Sequence, residues 1–205
     1  MLFYETVDTD TLGLLRRLQA LPILNKMRLV GGTSLALQIG HRKSIDIDLF
    51  GELPINYEIL VDELRKTGEL MPLNNSQNIH CFLIDGIKVD IVNYDYKWLA
   101  EKIAIDNLEL ATKEDIAAMK LNAILGRGSK KDFIDLFFLL KEYPLKELIN
   151  YYNLKYVDGS EFLVLKSLVY FGDADKEEMP FMFDPVSWEE IKSTISLHHT
   201  NFVTA

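Results

Sequence analysis

Two aspartates in the first quarter of the chain have the type and spacing of a phosphate-transfer site. Asp46 and Asp48 stand two residues apart in the alternating segment SIDIDLF, over 44–50. This period predicts a strand with both carboxylates on one face and Ile45, Ile47 and Leu49 on the core face. Carboxylates this close repel, and a divalent cation, Mg²⁺ or Mn²⁺, compensates them directly. Metals held in this way can activate an attacking hydroxyl and stabilise a leaving pyrophosphate.

A glycine pair supplies a second half of the pattern. Gly31 and Gly32 lie between a predicted strand and a predicted helix. Backbone without side chains can approach a triphosphate closely, the N–H groups of a helix start favour anions, and Thr33 or Ser34 can add a hydroxyl donor. Alone, such a pair is usually a tight turn, and Asp-x-Asp is often an exposed strand edge. The order strand, glycines, helix, strand, with thirteen residues between Gly32 and Asp46, favours a nucleotide site.

The elements that must position these residues predict an α+β fold. The first half alternates strand and helix signals, and Asp85-Gly86 predicts a two-stranded hairpin. Beyond residue 96 the apolar spacing is helical, with Thr112 as a predicted cap and a break at 126–129 before a helix over 131–142. We therefore expect a small mixed β-sheet with flanking helices, followed by a helical C-terminal region.

Composition narrows the class of protein. With 48% hydrophobic residues among 205, the chain can bury a sizeable core, and no run of eighteen apolar residues predicts a membrane span. The N-terminus lacks the pattern of a secretory signal, and a single cysteine, Cys81, fits a reducing cytoplasm. The net charge of −9 argues against a generic nucleic-acid coat, although a local basic patch can still bind RNA.

Two blocks of sequence carry a family resemblance. The segment VGGTSLALQIGHRKSIDIDLF resembles the signature of the DNA polymerase beta-like nucleotidyltransferase superfamily. Together with KLNAILGRGSKKDFIDLFFLL it resembles, more narrowly, the AbiEii/AbiGii toxin family of bacterial type IV toxin–antitoxin and abortive-infection systems. We expect a nucleotidyltransferase catalytic core over 1–110 and a helical domain over 111–205 that completes the active-site cleft.

The resemblance implies roles for residues in both blocks. The implied set is Gly32 and Ser34 in the nucleotide-binding loop, Asp46 and Asp48 as the metal pair, Lys120 as the essential lysine, and Asp132 and Asp135 in the last acidic motif. Asp135 is preferred within that motif because apolar residues surround it, whereas Asp132 can instead cap a helix. A surface lysine is the alternative for Lys120, which otherwise pairs with phosphate or donates a proton.

Three further residues are candidates. Asp90 is the third carboxylate that is common in the superfamily, or else a strand-face aspartate paired with Lys88. Arg42, just before the aspartate pair, can contact phosphate or acceptor. Arg127 can bind phosphate bidentately, and a plain loop arginine is an equal alternative.

The leading interpretation is transfer of a nucleoside monophosphate from a nucleoside triphosphate onto an acceptor hydroxyl. The resemblance implies a tRNA 3′ end as acceptor, growth arrest as outcome and a cognate antitoxin as partner. The predicted basic patch for RNA consists of Arg42, Lys43, Arg127, Lys130 and Lys131. A small-molecule acceptor such as an aminoglycoside, and a nucleotide-binding regulator without transferase activity, remain as alternatives.

Overall fold

The computed structural model describes residues 1–204. Its contacts form two compact units. The first comprises Met1–Asp95 and Lys102–Ala111, and the second comprises Tyr96–Glu101 and the chain from Thr112 onward. A mixed sheet belongs to the first unit and helices make up the second, which confirms the predicted α+β class.

The first unit contains a mixed seven-stranded sheet with three helices. Its elements in chain order are α1 (Thr9–Gln19), β1 (Met27–Leu29), α2 (Gly31–Ile39), β2 (Ile47–Gly51), α3 (Tyr57–Leu64), β3 (Leu70–Asn75), β4 (Ile79–Ile84), β5 (Ile87–Asn93), β6 (Ile103–Ile105) and β7 (Leu108–Leu110). The strands are ordered β3-β4-β5-β2-β1-β7-β6. Strand β2 is antiparallel to β1 and parallel to β5, so two segments far apart in sequence lie side by side at its centre.

Strand β2 is shorter than the sequence predicts. Ile47 and Leu49 are buried in the core, as their alternation indicates. The strand begins at Ile47, however, and Ile45 is 51% exposed, so the expectation that Ile45 faces the core is wrong. Regular pairing begins at Ile47, and before it Ser44 forms an isolated bridge with Val7.

The hairpin between β4 and β5 follows its turn residues. Asp85 and Gly86 both have positive φ angles, 50° and 79°, as a two-residue turn matched to strand twist requires. The turn brings β5 back antiparallel to β4, with Cys81 opposite Asp90. The predicted hairpin is therefore confirmed, and it sets the register that carries Asp90.

The second unit is helical within the described residues. Its helices are α4 (Lys113–Gly126), α5 (Lys130–Leu140), α6 (Leu145–Lys155), α7 (Glu161–Leu168) and α8 (Trp188–Val203). The Thr112 side chain accepts a hydrogen bond from the Asp115 N–H, which confirms it as the cap of α4. None of the helices within residues 1–204 combines the length and hydrophobicity needed to cross a bilayer.

A buried ion pair attaches the segment Tyr96–Glu101 to this unit. The Lys155 Nζ lies 2.7 Å from the Asp115 Oδ1, and neither side chain has exposed area. Asp115 also accepts the Leu99 N–H, and Lys155 donates to the Lys97 carbonyl. These partners satisfy charges that would be costly to bury alone.

Candidate active site

Two carboxylates meet on the central strands of the sheet. In the parallel pairing of β2 with β5, Asp48 is directly opposite Asp90. Residues opposite each other in a ladder project from the same face, so both carboxylates lie on one side of the sheet. Asp46 immediately precedes β2, two residues before Asp48, and is half-buried. We refer to Asp46, Asp48 and Asp90 as the acidic face.

Gly31 lies against the acidic face. Its φ of +68° is in the left-handed region, and a Cβ at this position would collide with the Asp48 carboxylate. The Val30 N–H donates to the Asp48 carbonyl at 2.9 Å, which fixes the start of α2 beside β2. Glycine is therefore required here both for its backbone conformation and for the space that Asp48 occupies.

Arg42 covers the second glycine. A Cβ at Gly32 would meet the Arg42 guanidinium, and Arg42 is 2% exposed. The Arg42 Nη1 donates to the Lys43 carbonyl at 3.0 Å. The guanidinium thus lies at the start of α2, where the first N–H groups of the helix have no partners inside the helix. These donors, together with the guanidinium, suit an anion such as phosphate.

The hydroxyls of Thr33 and Ser34 are buried and bonded within the unit. Thr33 donates to the Asp46 carbonyl and contacts the Ser44 hydroxyl at 2.9 Å. Ser34 accepts hydrogen bonds from Gln38, which also donates to the Ala111 carbonyl. In this structure Thr33 therefore holds the chain at Asp46 in place. Gln38, which sequence reasoning missed, is detectable only as a polar residue one helical turn after Ser34.

One cation faces the acidic face from within the sheet. The Lys88 Nζ lies 2.5 Å from the Asp90 Oδ2. Burial opposes the charge of Lys88, but Asp90, Asp48 and Asp46 raise its pKa above the ordinary value. Burial and then the Asp90 carboxylate raise the pKa of the Cys81 thiol to about 11, so Cys81 is protonated at neutral pH.

The donor atoms of the acidic face fit a divalent metal. The Asp90 Oδ1 is buried and has no hydrogen-bond partner within residues 1–204, a costly state that a bound cation relieves. No group of three or more His, Cys, Asp or Glu side chains in that range is arranged as a complete metal site. Mg²⁺ does not require one, because it commonly takes one or two carboxylates and completes its shell with water and substrate phosphates.

The second unit holds a separate buried cluster around Lys120. The Lys120 Nζ lies 2.9 Å from the Asp132 Oδ1 and 2.5 Å from the Asp135 Oδ2. Both carboxylates have no exposed area, and Lys120 is also buried. Asp132 and Asp135 are three apart on α5, so one face of the helix presents both to the lysine. The alternative of a surface lysine does not describe Lys120.

Asp132 has two further partners besides Lys120. Arg127 contacts it through two nitrogens, at 2.8 and 3.1 Å, and the Ser129 hydroxyl donates to it at 2.8 Å. Burial opposes its ionisation, but Lys120 and Arg127 outweigh this and hold the pKa of Asp132 well below its usual range. The Arg127 side chain remains 68% exposed, so part of it is accessible to a ligand.

The predicted basic patch is only partly accessible. Arg42 is buried, and Lys130 is buried against the Glu177 carbonyl and the ring of Trp188, 5.0 Å away. These two residues are therefore not available as surface cations, contrary to the expectation. Lys131 is exposed.

Comparison with known proteins identifies a family and a relative that match most of the chain. The family described as nucleotidyl transferase AbiEii toxin, type IV TA system, matches residues 13–201. The uncharacterized protein aq_aa25 of Aquifex aeolicus (strain VF5) is 39% identical over 184 residues, which cover 87% of this chain and 88% of that protein.

Solved structures share the fold at low sequence identity. A crystal structure described as a candidate nucleotidyltransferase from H. pylori has a TM-score of 0.61 at 19% identity, covering 96% of this chain and 98% of that one. MenT4, the nucleotidyltransferase toxin Rv2826c of Mycobacterium tuberculosis H37Rv, has a TM-score of 0.60 at 16% identity, covering 94% and 81%. Because the family match extends over nearly the whole chain, the protein belongs to the AbiEii nucleotidyltransferase toxin family.

Proposed function

We propose that the protein transfers a nucleoside monophosphate from a nucleoside triphosphate onto an acceptor hydroxyl, using divalent metal held by Asp46, Asp48 and Asp90. The observation that carries the proposal is the register of β2 with β5, which puts Asp48 opposite Asp90 beside the left-handed Gly31. Carboxylates of this kind would hold Mg²⁺ or Mn²⁺. When bound, the metal would lower the pKa of the attacking hydroxyl and offset charge on the leaving pyrophosphate.

The start of α2 is the proposed cradle for the triphosphate. The backbone N–H groups of Gly31 and Gly32, with Thr33 and Ser34 following, provide the anion-binding end of a helix. The buried Arg42 guanidinium beside Gly32 adds positive charge that favours phosphate at this end of the helix. The glycine at position 31 keeps Asp48 close to these donors, so that phosphate and carboxylates share one location.

Within the second unit we propose unequal roles for the buried charges. Lys120 is the reactive lysine, and its ammonium pairs with phosphate or donates a proton to the leaving group. Asp135 orients that ammonium. Asp132 is a positioning residue, because Lys120, Arg127 and Ser129 already occupy both of its oxygens. The accessible part of Arg127 is the candidate for phosphate contact.

The acceptor that we propose is the 3′ end of a tRNA, with growth arrest as the consequence in the cytoplasm and a cognate antitoxin as the natural counterpart. Membership of the toxin family supports this proposal. The exposed cations that support RNA binding are Arg127 and Lys131, with Lys43, which pairs with Asp8 at the surface. Because these exposed cations are few, they suit a short RNA end better than a long duplex, which presents many phosphates.

The test is a transfer assay with each radiolabelled triphosphate, Mg²⁺ or Mn²⁺, and total RNA. We expect label on tRNA from one or two of the four nucleotides, and no label when EDTA replaces the metal. Asp48→Asn should lower the transfer rate by at least about 100-fold, because it removes a metal ligand. Asp62→Asn is the matched control, since Asp62 is an exposed aspartate of α3 in the same unit.

The assay separates the alternatives. Label on an aminoglycoside but not on RNA would retain the chemistry and replace the acceptor. Triphosphate binding without transfer to any acceptor would contradict the transferase proposal and leave a nucleotide-binding regulator. Full activity of Asp48→Asn would contradict the metal mechanism.

A further inference from the structure

Lys88 lies beside the acidic face and forms an ion pair with one of its carboxylates, Asp90. Lys88 lies two residues before Asp90 on β5 and therefore projects from the same side of the sheet. Its Nζ is 2.5 Å from one oxygen of Asp90, while the other oxygen of Asp90 is buried and has no hydrogen-bond partner within residues 1–204. The Lys88 side chain is 46% exposed and that of Asp90 only 19%, so the lysine can move away while the aspartate stays.

The ammonium and a divalent cation have the same target. Asp48 and Asp90 are neighbours on this face, and Lys88 is the cation in hydrogen-bond contact with Asp90. A metal that takes Asp90 Oδ2 must displace the ammonium, and a metal bound to the other oxygen still meets a positive charge a few ångströms away. Either way the two cations oppose each other.

Resting on the metal site of the proposed function, we infer that Lys88 is a built-in counter-cation of the acidic face. It holds Asp90 in place before the metal arrives, is displaced when a divalent cation binds, and so weakens the affinity of the protein for metal alone. The negative charge of a triphosphate offsets this opposition. Lys88 therefore makes metal binding depend on substrate, and it is a positioning residue that acts through Asp90.

A Mn²⁺ titration of the full-length protein, with free Mn²⁺ measured by electron paramagnetic resonance, tests the inference. Lys88→Met should bind Mn²⁺ about three- to tenfold more tightly than the wild type, because a competing charge has gone. Lys88→Gln should shift the dissociation constant in the same direction. Lys88→Arg, and the control Lys26→Met at an exposed lysine paired with Glu52, should stay within about twofold of the wild type.

Thermal unfolding supplies a second readout. Without its counter-cation the acidic face repels itself, so Lys88→Met should melt at a lower temperature than the wild type in EDTA and gain more from added Mn²⁺. A lysine needed only for structure would give the opposite binding result, because a disordered Asp90 is a poorer ligand.

The outcomes also separate this inference from the proposal on which it rests. Mn²⁺ binding by the wild type that Asp48→Asn abolishes, with unchanged or weaker binding by Lys88→Met and Lys88→Gln, would overturn the role of Lys88 alone. Absence of Mn²⁺ binding by the wild type and by every variant would overturn both the role of Lys88 and the proposed metal site.

Discussion

Asp48 and Asp132 both belong to the proposed reaction, yet they have different partners. Asp48 lies on a half-buried sheet face beside a second carboxylate, Asp90, whose buried Oδ1 has no hydrogen-bond partner within residues 1–204. Asp132 is fully buried, and Lys120, Arg127 and Ser129 contact both of its oxygens. The first arrangement brings two carboxylates together on one face of the sheet, which favours a bound cation, whereas the second balances the charge of Asp132 with Lys120 and Arg127.

This difference matches the two proposed roles: the acidic face binds a metal ion, whereas Asp132 positions the ammonium of Lys120. Neighbouring carboxylates cost stability through their mutual repulsion and gain affinity for metal. Buried carboxylates with cationic partners have little reason to bind metal, but they fix the direction of the lysine between them. Substitutions in the second cluster should therefore change stability as well as activity, while those at the acidic face should change activity first.

Removal of the central lysine should give the largest effect. In Lys120→Met, Asp135 loses its ammonium and Asp132 keeps only Arg127 and Ser129, so we expect a loss of about 3–5 kcal/mol in the free energy of unfolding. Nucleotide transfer should fall by at least about 100-fold. Urea unfolding and the transfer assay measure the two effects.

The matched control for that substitution is Lys146→Met, at an exposed lysine of α6. Its unfolding midpoint should stay within about 0.5 kcal/mol of the wild type. A Lys120→Met protein as stable as this control would show that the cluster is not a positioning device, and the contrast with the acidic face would no longer hold.

A smaller effect is expected from Gly31→Ala on the side of the acidic face. The left-handed backbone and the collision with Asp48 should cost about 1–3 kcal/mol in stability. Displacement of Asp48 should lower transfer by about 10- to 100-fold. Mn²⁺ affinity should fall in parallel, which equilibrium titration would measure.

Gly13→Ala provides the comparison for position 31. Gly13 lies inside α1, and a Cβ there would only touch the end of the Arg17 side chain at 3.7 Å. Alanine should therefore stabilise the protein by about 0.5–1 kcal/mol and leave transfer unchanged. Normal Mn²⁺ binding by Gly31→Ala would show that the glycine does not set the position of Asp48.

The smallest expected effect is on the pH dependence of the free energy of unfolding. Lys120 and Arg127 lower the pKa of Asp132 in the folded protein despite its burial. Its contribution to stability is therefore complete above the unfolded pKa, about 4, and is lost as pH falls toward the folded value. We expect urea unfolding at pH 6 and pH 3 to differ less in Asp132→Asn than in the wild type, by about 1 kcal/mol. An equal difference in both proteins would mean that other carboxylates dominate acid unfolding.

Local signals in the sequence were sufficient for several elements. The Asp85-Gly86 hairpin and the Thr112 cap were predicted because their residues determine the backbone within a few positions. The hairpin of β6 and β7 was missed because its strands have three residues each and its turn uses Asp106 and Asn107 in left-handed conformation without glycine. The polar run NNSQN over 74–78 predicts a turn, but β3 continues through Asn75 because Asn74 and Asn75 pair with β4.

The arrangement of the candidate site could not be predicted in full from the sequence, because it depends on contacts between residues far apart in the chain. The sequence identifies Asp48 and Asp90 as acidic strand residues, but the parallel register that makes them neighbours depends on how the whole sheet assembles. Lys130 reads as a basic surface residue, and its burial follows from Glu177 and Trp188 far along the chain. Nothing near position 130 encodes that contact.

The path of the chain between the two units restricts how their gene segments can recombine. The backbone leaves the first unit after Asp95, returns at Lys102 and leaves again after Ala111. A single recombination point anywhere from Asp95 to Thr112 would therefore separate either the β6–β7 hairpin from its sheet or the segment Tyr96–Glu101 from Asp115 and Lys155. The two units cannot be exchanged as separate modules, so we expect them to have diverged together from a common ancestor.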